Sequence, residues 1–200
     1  MYESTAASYA EMMDEEINLP IYEDTLSRLQ KRLVGISGPL IDTACGSGHM
    51  LVKYNERFDK HRALLGVDLS PNMVSIARNK LGSKGQIIVG NMRDLSTIKS
   101  NSSAALMNFF AIHHLDQEGI QSAFNEWHRV LRREGQLLFA AWEGSGKIDY
   151  GDASEIVALR YHADELSTWI MKAGFKILRC VVEPIEGFTM DAVYLEGAKK

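Results

Sequence analysis

Two hundred residues, of which 46% are hydrophobic, 24% charged and 8% aromatic, have the balance of one globular domain, which excludes a disordered or fibrous chain. Twenty-two Lys and Arg against 26 Asp and Glu leave a formal charge of −4, the opposite sign to a protein that grips nucleic-acid backbone. Cys45 and Cys180 are the only cysteines; they are too few and too far apart for a disulfide framework or a zinc set, and they fit a reducing compartment.

Residues 1–19 are polar and acidic, with Tyr2 and Tyr9, and contain no apolar stretch of signal-peptide length. No apolar run along the chain approaches the roughly 20 residues that cross a bilayer. A cytoplasmic protein without a membrane partner is expected. Tyr22, Leu26, Leu29 and Leu33 step by four, three and four, which predicts a helix opened by Pro20 and closed by Gly35. Pro39 to Ala44 reads as a short buried strand that runs into the turn Cys45-Gly46-Ser47-Gly48, and a helix through Met50, Leu51, Tyr54 and Phe58 follows. Ala63 to Val67 is a second strand ending at Asp68. Ser70-Pro71 then supplies an N-cap and a first-turn proline for a helix that stops at Gly82.

Gln86 to Val89 makes a third strand, ending at Gly90-Asn91-Met92, and Ala104 to Asn108 a fourth, ending at Phe109-Phe110. Ile120, Ala123, Phe124, Trp127 and Leu131 keep helical spacing after Asp116, and Gln136 to Ala141 is the fifth strand. Glu143 to Tyr161 is broken by glycines and reads as a loop with a helical turn near Glu155 to Leu159. A helix at 163–173 ends at Gly174. Strands at Phe175 to Glu183 and Met190 to Glu196 are separated only by Pro184-Ile185-Glu186-Gly187, which predicts an antiparallel hairpin at a sheet edge. Near-continuous apolar strands alternating with helices from residue 39 to residue 174 predict an α/β protein, a mostly parallel Rossmann-like sheet with helices on both faces. Residues 1–200 are expected to form a single domain.

The chemistry concentrates where the first strand stops in a Gly-x-Gly turn that opens a helix. Glycines admit close backbone approach and helix-start amides favour a negatively charged group, yet such a turn alone also serves a tight connection without ligand. Asp68, 26 positions after Asp42 at the end of the next strand, has two readings: an acceptor for both hydroxyls of a ribose, or a cap for the turn before Ser70. Turn and acid together in one βαβ unit favour a nucleoside ligand at the crevice outside the strand ends. Leu51 stands where the dinucleotide fingerprint needs a third small residue, which counts against NAD.

Leu40-Ile41-Asp42-Thr43-Ala44-Cys45-Gly46-Ser47-Gly48 resembles the first motif of the class I S-adenosylmethionine-dependent methyltransferases, and Gly66-Val67-Asp68-Leu69-Ser70-Pro71-Asn72-Met73 resembles the second. The likeness runs over about residues 20 to 200, and it implies that family's seven-stranded sheet with an antiparallel last strand. It further implies that Asp42, Ala44, Cys45, Gly46, Ser47 and Gly48 face the methionine part of S-adenosylmethionine, that Asp68 holds the ribose, and that Leu69 packs on the adenine. Asn91 and Met92 fall where the family contacts the adenine edge, Asn91 standing in for the common Asp. Phe109 lies in the segment lining the far side of the cofactor. Cys45 replaces a more usual glycine, and its bland reading is a small buried side chain.

His113 and His114 are adjacent, so their rings project differently, and no Cys or carboxylate set completes a metal site. A structural or substrate-contact role ranks above metal ligation, with either histidine open as a general base. Trp127 reads as core, and Trp142 as core or pocket wall. Residues 1–19 and 143–162 lie outside the βα alternation and are candidate covers for an acceptor pocket, with Tyr9 as a catalytic-pocket candidate; the alternative for the first is a frayed tail. The activity expected is methyl transfer to a nucleophilic O, N or C atom of a small molecule, without a metal, by a monomer or weak homodimer. RNA or protein methylation, and a non-catalytic S-adenosylmethionine-binding protein, are the alternatives. A nicotinamide-dependent oxidoreductase is disfavoured by Leu51 and the terminal hairpin.

Overall fold

A computed structural model describes residues 6–148, 158–185 and 189–200, and for residues 6–9 and 15 the backbone only. In chain order the elements are α1 (Ala6–Glu16), α2 (Pro20–Arg32), β1 (Leu40–Thr43), α3 (His49–Arg57), β2 (Leu64–Asp68), α4 (Pro71–Leu81), β3 (Gln86–Val89), β4 (Ser103–Phe109), α5 (Gln117–Val130), β5 (Leu131–Trp142), α6 (Ala163–Lys172), β6 (Phe175–Pro184) and β7 (Asp191–Lys199). The strands form one sheet in the order β3-β2-β1-β4-β5-β7-β6. The pairs β1–β2, β2–β3, β1–β4 and β4–β5 are parallel, whereas β7 runs antiparallel to both β5 and β6. This is the expected seven-stranded Rossmann-like sheet with its terminal hairpin and reversed last strand.

Strand side chains alternate between two cores because both faces are covered. Ile41, Val67, Leu106 and Phe139 pack with Phe124, Trp127, Leu166 and Ile170 of α5 and α6. Leu40, Leu64, Met107 and Leu138 pack with Leu26 of α2, Leu51 of α3 and Ala77 of α4. Trp127, read as core, is fully buried. Helix α4 begins as read, with Ser70 Oγ accepting the Met73 N–H at 3.3 Å and Pro71 in the first turn. Asp116 caps α5 through the Gly119 N–H at 2.8 Å. Among the described residues no helix is long and apolar enough to cross a membrane.

Three stretches differ from their sequence reading. Helix α5 stops at Val130, and Leu131 is already extended, pairing with Ser103 before a register shift to Ala105↔Gln136. Glu134, in the left-handed region at φ +60°, lies in the shifted stretch. Strand β7 runs on to Lys199, whose buried ammonium donates to His128 O at 2.6 Å, Leu131 O at 2.8 Å and Asn101 Oδ1 at 2.8 Å. Near the end of the long loop, the proposed helical turn falls partly outside the described residues, and Leu159 is extended in a bridge to Lys147. Ile148 N–H to Ala158 O at 2.8 Å and Arg160 N–H to Gly146 O at 2.9 Å zip the two limbs of that loop.

Residues 6–16 form a docked helix rather than a frayed tail. Ala10 and Met13 of α1 and the adjoining Ile17 are buried, Lys80 of α4 pairs with Asp14, and Lys53 of α3 donates to Ile17 O at 2.9 Å.

Candidate functional site

Because β1 lies between β2 and β4, consecutive crossovers leave it in opposite directions and a crevice opens beyond its carboxyl end. The chain that leaves β1 there turns sharply. Ala44, Gly46 and Gly48 all occupy the left-handed region, at φ +68°, +52° and +81°, and the Ala44 and Cys45 amides both donate to Val67 O, at 2.6 and 3.0 Å. A Cβ on Gly48 would sit 3.0 Å from the Ala77 Cβ, so glycine lets α3 approach α4 and open directly from the turn. The Cys45 side chain fills the space beside Gly66, whose added Cβ would lie 2.7 Å from Sγ. Burial, then Asp42 and Asp68, pushes the Cys45 thiol well above its ordinary pKa, so Cys45 is an inert filler.

Of the two roles open to Asp68 in sequence, the cap of the turn before Ser70 is formed. Its Oδ2 accepts the Gly46 N–H at 2.8 Å and its Oδ1 the Ser70 N–H at 2.9 Å, so the carboxylate spans the glycine turn and the start of α4 at the crevice mouth. Burial holds the Asp68 pKa above the usual carboxylate range against those two bonds. Asp42 is 3% exposed, and burial first, then the charge of Asp68, raises its pKa well above the ordinary value. Among the described residues no Lys, Arg or His forms a salt bridge with either acid. Two desolvated carboxylates without a counter-charge favour a cationic ligand.

The rim beyond β2 carries Leu69, 64% exposed, and Val89, 52% exposed, a flat apolar margin. Asn91 is placed beside it, but its Oδ1 already accepts the Arg93 N–H at 3.0 Å. Met92 is buried with Sδ 3.5 Å from Asn108 Nδ2. Asn108 was legible only as a strand end. Fully buried, it donates to Thr43 O and, at 3.3 Å, to Thr43 Oγ1, bridging β4 to β1 where the strands part, while its Oδ1 finds no partner. A lone amide inside an otherwise apolar strand was the available signal.

On the β4–β5 side an aromatic wall forms. Phe109 stacks obliquely on Tyr22, centroids 5.8 Å apart. Phe110, at φ +48°, is held by its N–H to Ala140 O at 2.9 Å and places its ring 4.7 Å from Trp142 and 6.2 Å from Tyr194. A bulky residue in the left-handed region is strained, and such strain gathers at sites. Ile185 and Tyr194 escaped the sequence reading, since only sheet topology brings them to Phe109 and Phe110, and Tyr22, read only as one face of a helix, reaches Phe109 through the packing of α2 on the sheet.

His113 is buried, its Nδ1 lacks a partner, and burial, then His114, lowers its pKa to about 3. It is a neutral imidazole of weak basicity. The His114 ring lies 4.0 Å from it and is less buried. His113 O accepts the Leu159 N–H at 2.7 Å, and Tyr161 Oη donates to Leu115 O at 2.5 Å, so the distal limb of the 143–162 loop is tied to the segment after β4. Tyr9 lies on α1, its side chain outside what the structure describes, and Tyr2 and Tyr150 lie outside the described residues altogether. A separate cleft of about 430 Å³ lies between α1, α3 and α4. It follows the outer stripe of α3, and its Lys53 and Lys80 are already paired with Glu23 and Asp14. Among the described residues no group of three or more His, Cys, Asp or Glu is placed to hold a metal ion.

A Rossmann-like sheet closed by a reversed strand, with an acidic glycine turn at its switch point, defines a class of cofactor-binding α/β proteins. Residues 40–135 match the methyltransferase domain family. A protein of Geobacillus sp. (strain WCH70) named as a methyltransferase is 30% identical over 143 residues, covering 68% of this chain and 56% of the relative. A demethylmenaquinone methyltransferase of Chlamydia caviae is 26% identical over 138 residues, covering 68% and 57%. The crystal structure of 1,6-didemethyltoxoflavin-N1-methyltransferase from Burkholderia thailandensis, with bound 1,6-didemethyltoxoflavin and S-adenosylhomocysteine, superposes with a TM-score of 0.76 over 99% of this chain and 86% of that one, at 15% identity, a likeness of fold. The matched stretch belongs to the methyltransferase domain family, and the sheet around it has the fold of the class I S-adenosylmethionine-dependent methyltransferases. It spans about half the length of the curated relatives it matches.

Proposed function

We propose that this chain binds S-adenosylmethionine and transfers its methyl group to a nucleophilic O, N or C atom of a small molecule. The observation that carries the reading is the pair of carboxylates at the glycine turn, buried Asp42 and half-buried Asp68, neither in a salt bridge among the described residues. The residues present fit the cofactor: a ligand with a sulfonium and an ammonium supplies the positive charge that Asp42 lacks, the turn at residues 44–48 leaves room for the methionine chain, and exposed Leu69 offers a face for adenine. Asp68 exchanges its bonds to the Gly46 and Ser70 amides for ribose hydroxyls, or shares them. Asn91, with its carbonyl oxygen engaged, is left its NH₂ for the adenine edge.

When bound, S-adenosylmethionine supplies an already electrophilic methyl group, so the chain has mainly to align the acceptor and exclude water. Phe109, Phe110, Trp142 and Tyr194 form the acceptor wall over the ends of β4 and β5. α1 and the zipped limbs of the 143–162 loop are the two covers. His113 orients by shape, since a base of such low pKa removes few protons at neutral pH; His114 is the better placed proton acceptor where the acceptor arrives protonated. An aromatic wall suits a flat or apolar acceptor. The Burkholderia neighbour, bound to a small heterocycle, and the quinone named for the Chlamydia relative accord with that class. Incubating the purified chain with methyl-labelled S-adenosylmethionine and a metabolite extract, then identifying the labelled product, tests the proposal. Label confined to RNA or protein fractions overturns the acceptor class, and cofactor binding without any transfer overturns catalysis.

A further inference from the structure

The sheet ends on two strands that differ in how their outer main chain is managed. Edge strand β3 is four residues long, and Arg78 Nε donates to Ile87 O at 2.9 Å, so a side chain reaches that edge. Edge strand β6 is ten residues long. Among the described residues, nothing outside β7 hydrogen-bonds its main chain from Lys176 to Glu183, and Leu178 and Val182 are 41% and 44% exposed. A long, apolar, uncovered edge is a template for another strand.

Within β6 the pairing with β7 shifts between Ile177 and Arg179, so the regular portion is Arg179 to Pro184. Two antiparallel strands related by a two-fold axis must set one residue opposite its own copy, because facing pairs alternate between hydrogen-bonded and non-hydrogen-bonded types. Centring that axis on Val181 places Arg179 of each copy opposite Glu183 of the other, and Cys180 opposite Val182. Centres at Cys180 or Val182 oppose no opposite charges. Arg179 and Glu183 are within reach already, 3.0 Å apart along the strand, while the buried Nη1 of Arg179 faces Glu196 of β7 at 3.8 Å. Both side chains lie on one face of the sheet, as alternate positions do. The charge order of the strand is thus its own antiparallel complement, which favours a second copy over an unrelated strand.

We propose that two copies of this chain associate through antiparallel pairing of their β6 edges about Val181, with Arg179 and Glu183 exchanging partners across the axis and the two sheets joining into one. The association is independent of the methyl-transfer reading.

Sedimentation of the full chain over a dilution series in reducing buffer is expected to show a monomer–dimer equilibrium. Glu183→Arg sets arginines opposite each other twice and should raise the dimer dissociation constant about tenfold or more. Val182→Lys, on the exposed edge, should act likewise, with thermal unfolding of the monomer checking the fold of each variant. In a Cys180→Ser background, Val181→Cys should cross-link to its copy under mild oxidation, whereas Val182→Cys should not, since the axis brings only position 181 opposite itself. A chain that stays monomeric at every concentration overturns the proposal, as it would if β6 served a different protein. So does a dimer indifferent to both edge variants, or one that cross-links as readily at 182 as at 181.

Discussion

The two halves of the crevice are built by opposite means. The β1–β2 half is made of main chain and two carboxylates drawn from two short segments, 42–48 and 66–70, within one βαβ unit. The β4–β5 half is made of side chains, Tyr22, Phe109, Phe110, Trp142, Ile185 and Tyr194, gathered from places far apart in the chain. Backbone geometry with a fixed charge suits a constant ligand, while an aromatic wall of separate origins can be reshaped one side chain at a time. In the function proposed above, the first half holds the cofactor and the second selects the acceptor.

The largest effect expected is on that division. Asp68→Ala removes two charge-assisted acceptors from the ribose and should weaken S-adenosylmethionine binding by about 2 to 4 kcal/mol, counting about 1 to 2 for each bond. Phe110→Ala should leave cofactor affinity within about threefold, under about 0.7 kcal/mol, while raising KM for the acceptor. Calorimetry on both variants decides the matter; comparable cofactor losses in the two would break the separation of the halves. NAD should not bind the parent chain at all.

The same contrast explains what could be read in advance. The alternation of strands and helices, the glycine turn and Asp68 are local patterns, carried by period and by φ requirements that only certain residues meet, so they were legible. Leu131 was not, because its apolar spacing continues the α5 stripe while its pairing with Ser103 is decided by β4. Tyr194 and Ile185 were invisible because nothing in β7 or after β6 announces which strand end they will face. The burial that makes His113 a weak base likewise comes from tertiary packing and leaves no trace in the pair His113-His114.

Deleting residues 1–18 probes the acceptor half from the other side. α1 buries Ala10 and Met13 and is tied to α4 through Asp14 and Lys80, so its loss should lower the melting temperature yet leave the sheet folded. Turnover should drop by about tenfold or more, about 1.4 kcal/mol in kcat/KM, through the acceptor rather than the cofactor. Tyr9→Ala should reproduce part of the loss. Unchanged kinetics in the truncated chain would remove α1 as a cover and leave the 143–162 limbs alone in that role.

A subtler consequence belongs to the acid pair. Asp42 and Asp68 take up protons at a higher pH in the folded chain than when unfolded, so the cofactor-free protein loses stability as pH rises from the ordinary carboxylate range to the raised values. A cationic ligand favours the ionised forms, so its binding releases protons and strengthens with pH across that same window. S-adenosylhomocysteine, lacking the sulfonium, should show a shallower rise. Asp42→Asn should flatten both curves and raise the melting temperature of the cofactor-free chain, since a neutral amide is cheaper to bury. Affinity that is flat in pH for the parent would mean that the acids do not answer the ligand's charge.

The smallest effect expected is none at all, and it separates two cations that an unpaired acid might attract. A divalent ion needs several oxygen ligands arranged around it, whereas an organic sulfonium needs only nearby negative charge and a shaped wall. Both oxygens of Asp68 are already engaged with the Gly46 and Ser70 amides, and burial leaves Asp42 little room for a hydrated ion. Among the described residues His113 and His114 join no group of three or more His, Cys, Asp or Glu placed to hold a metal ion. Exhaustive chelation should consequently leave turnover unchanged, and added magnesium should not restore activity to Asp42→Asn. Turnover that vanishes with chelator and returns with a single divalent ion would show that the acid pair serves a metal, and the assignment of the two halves would have to be redrawn around it.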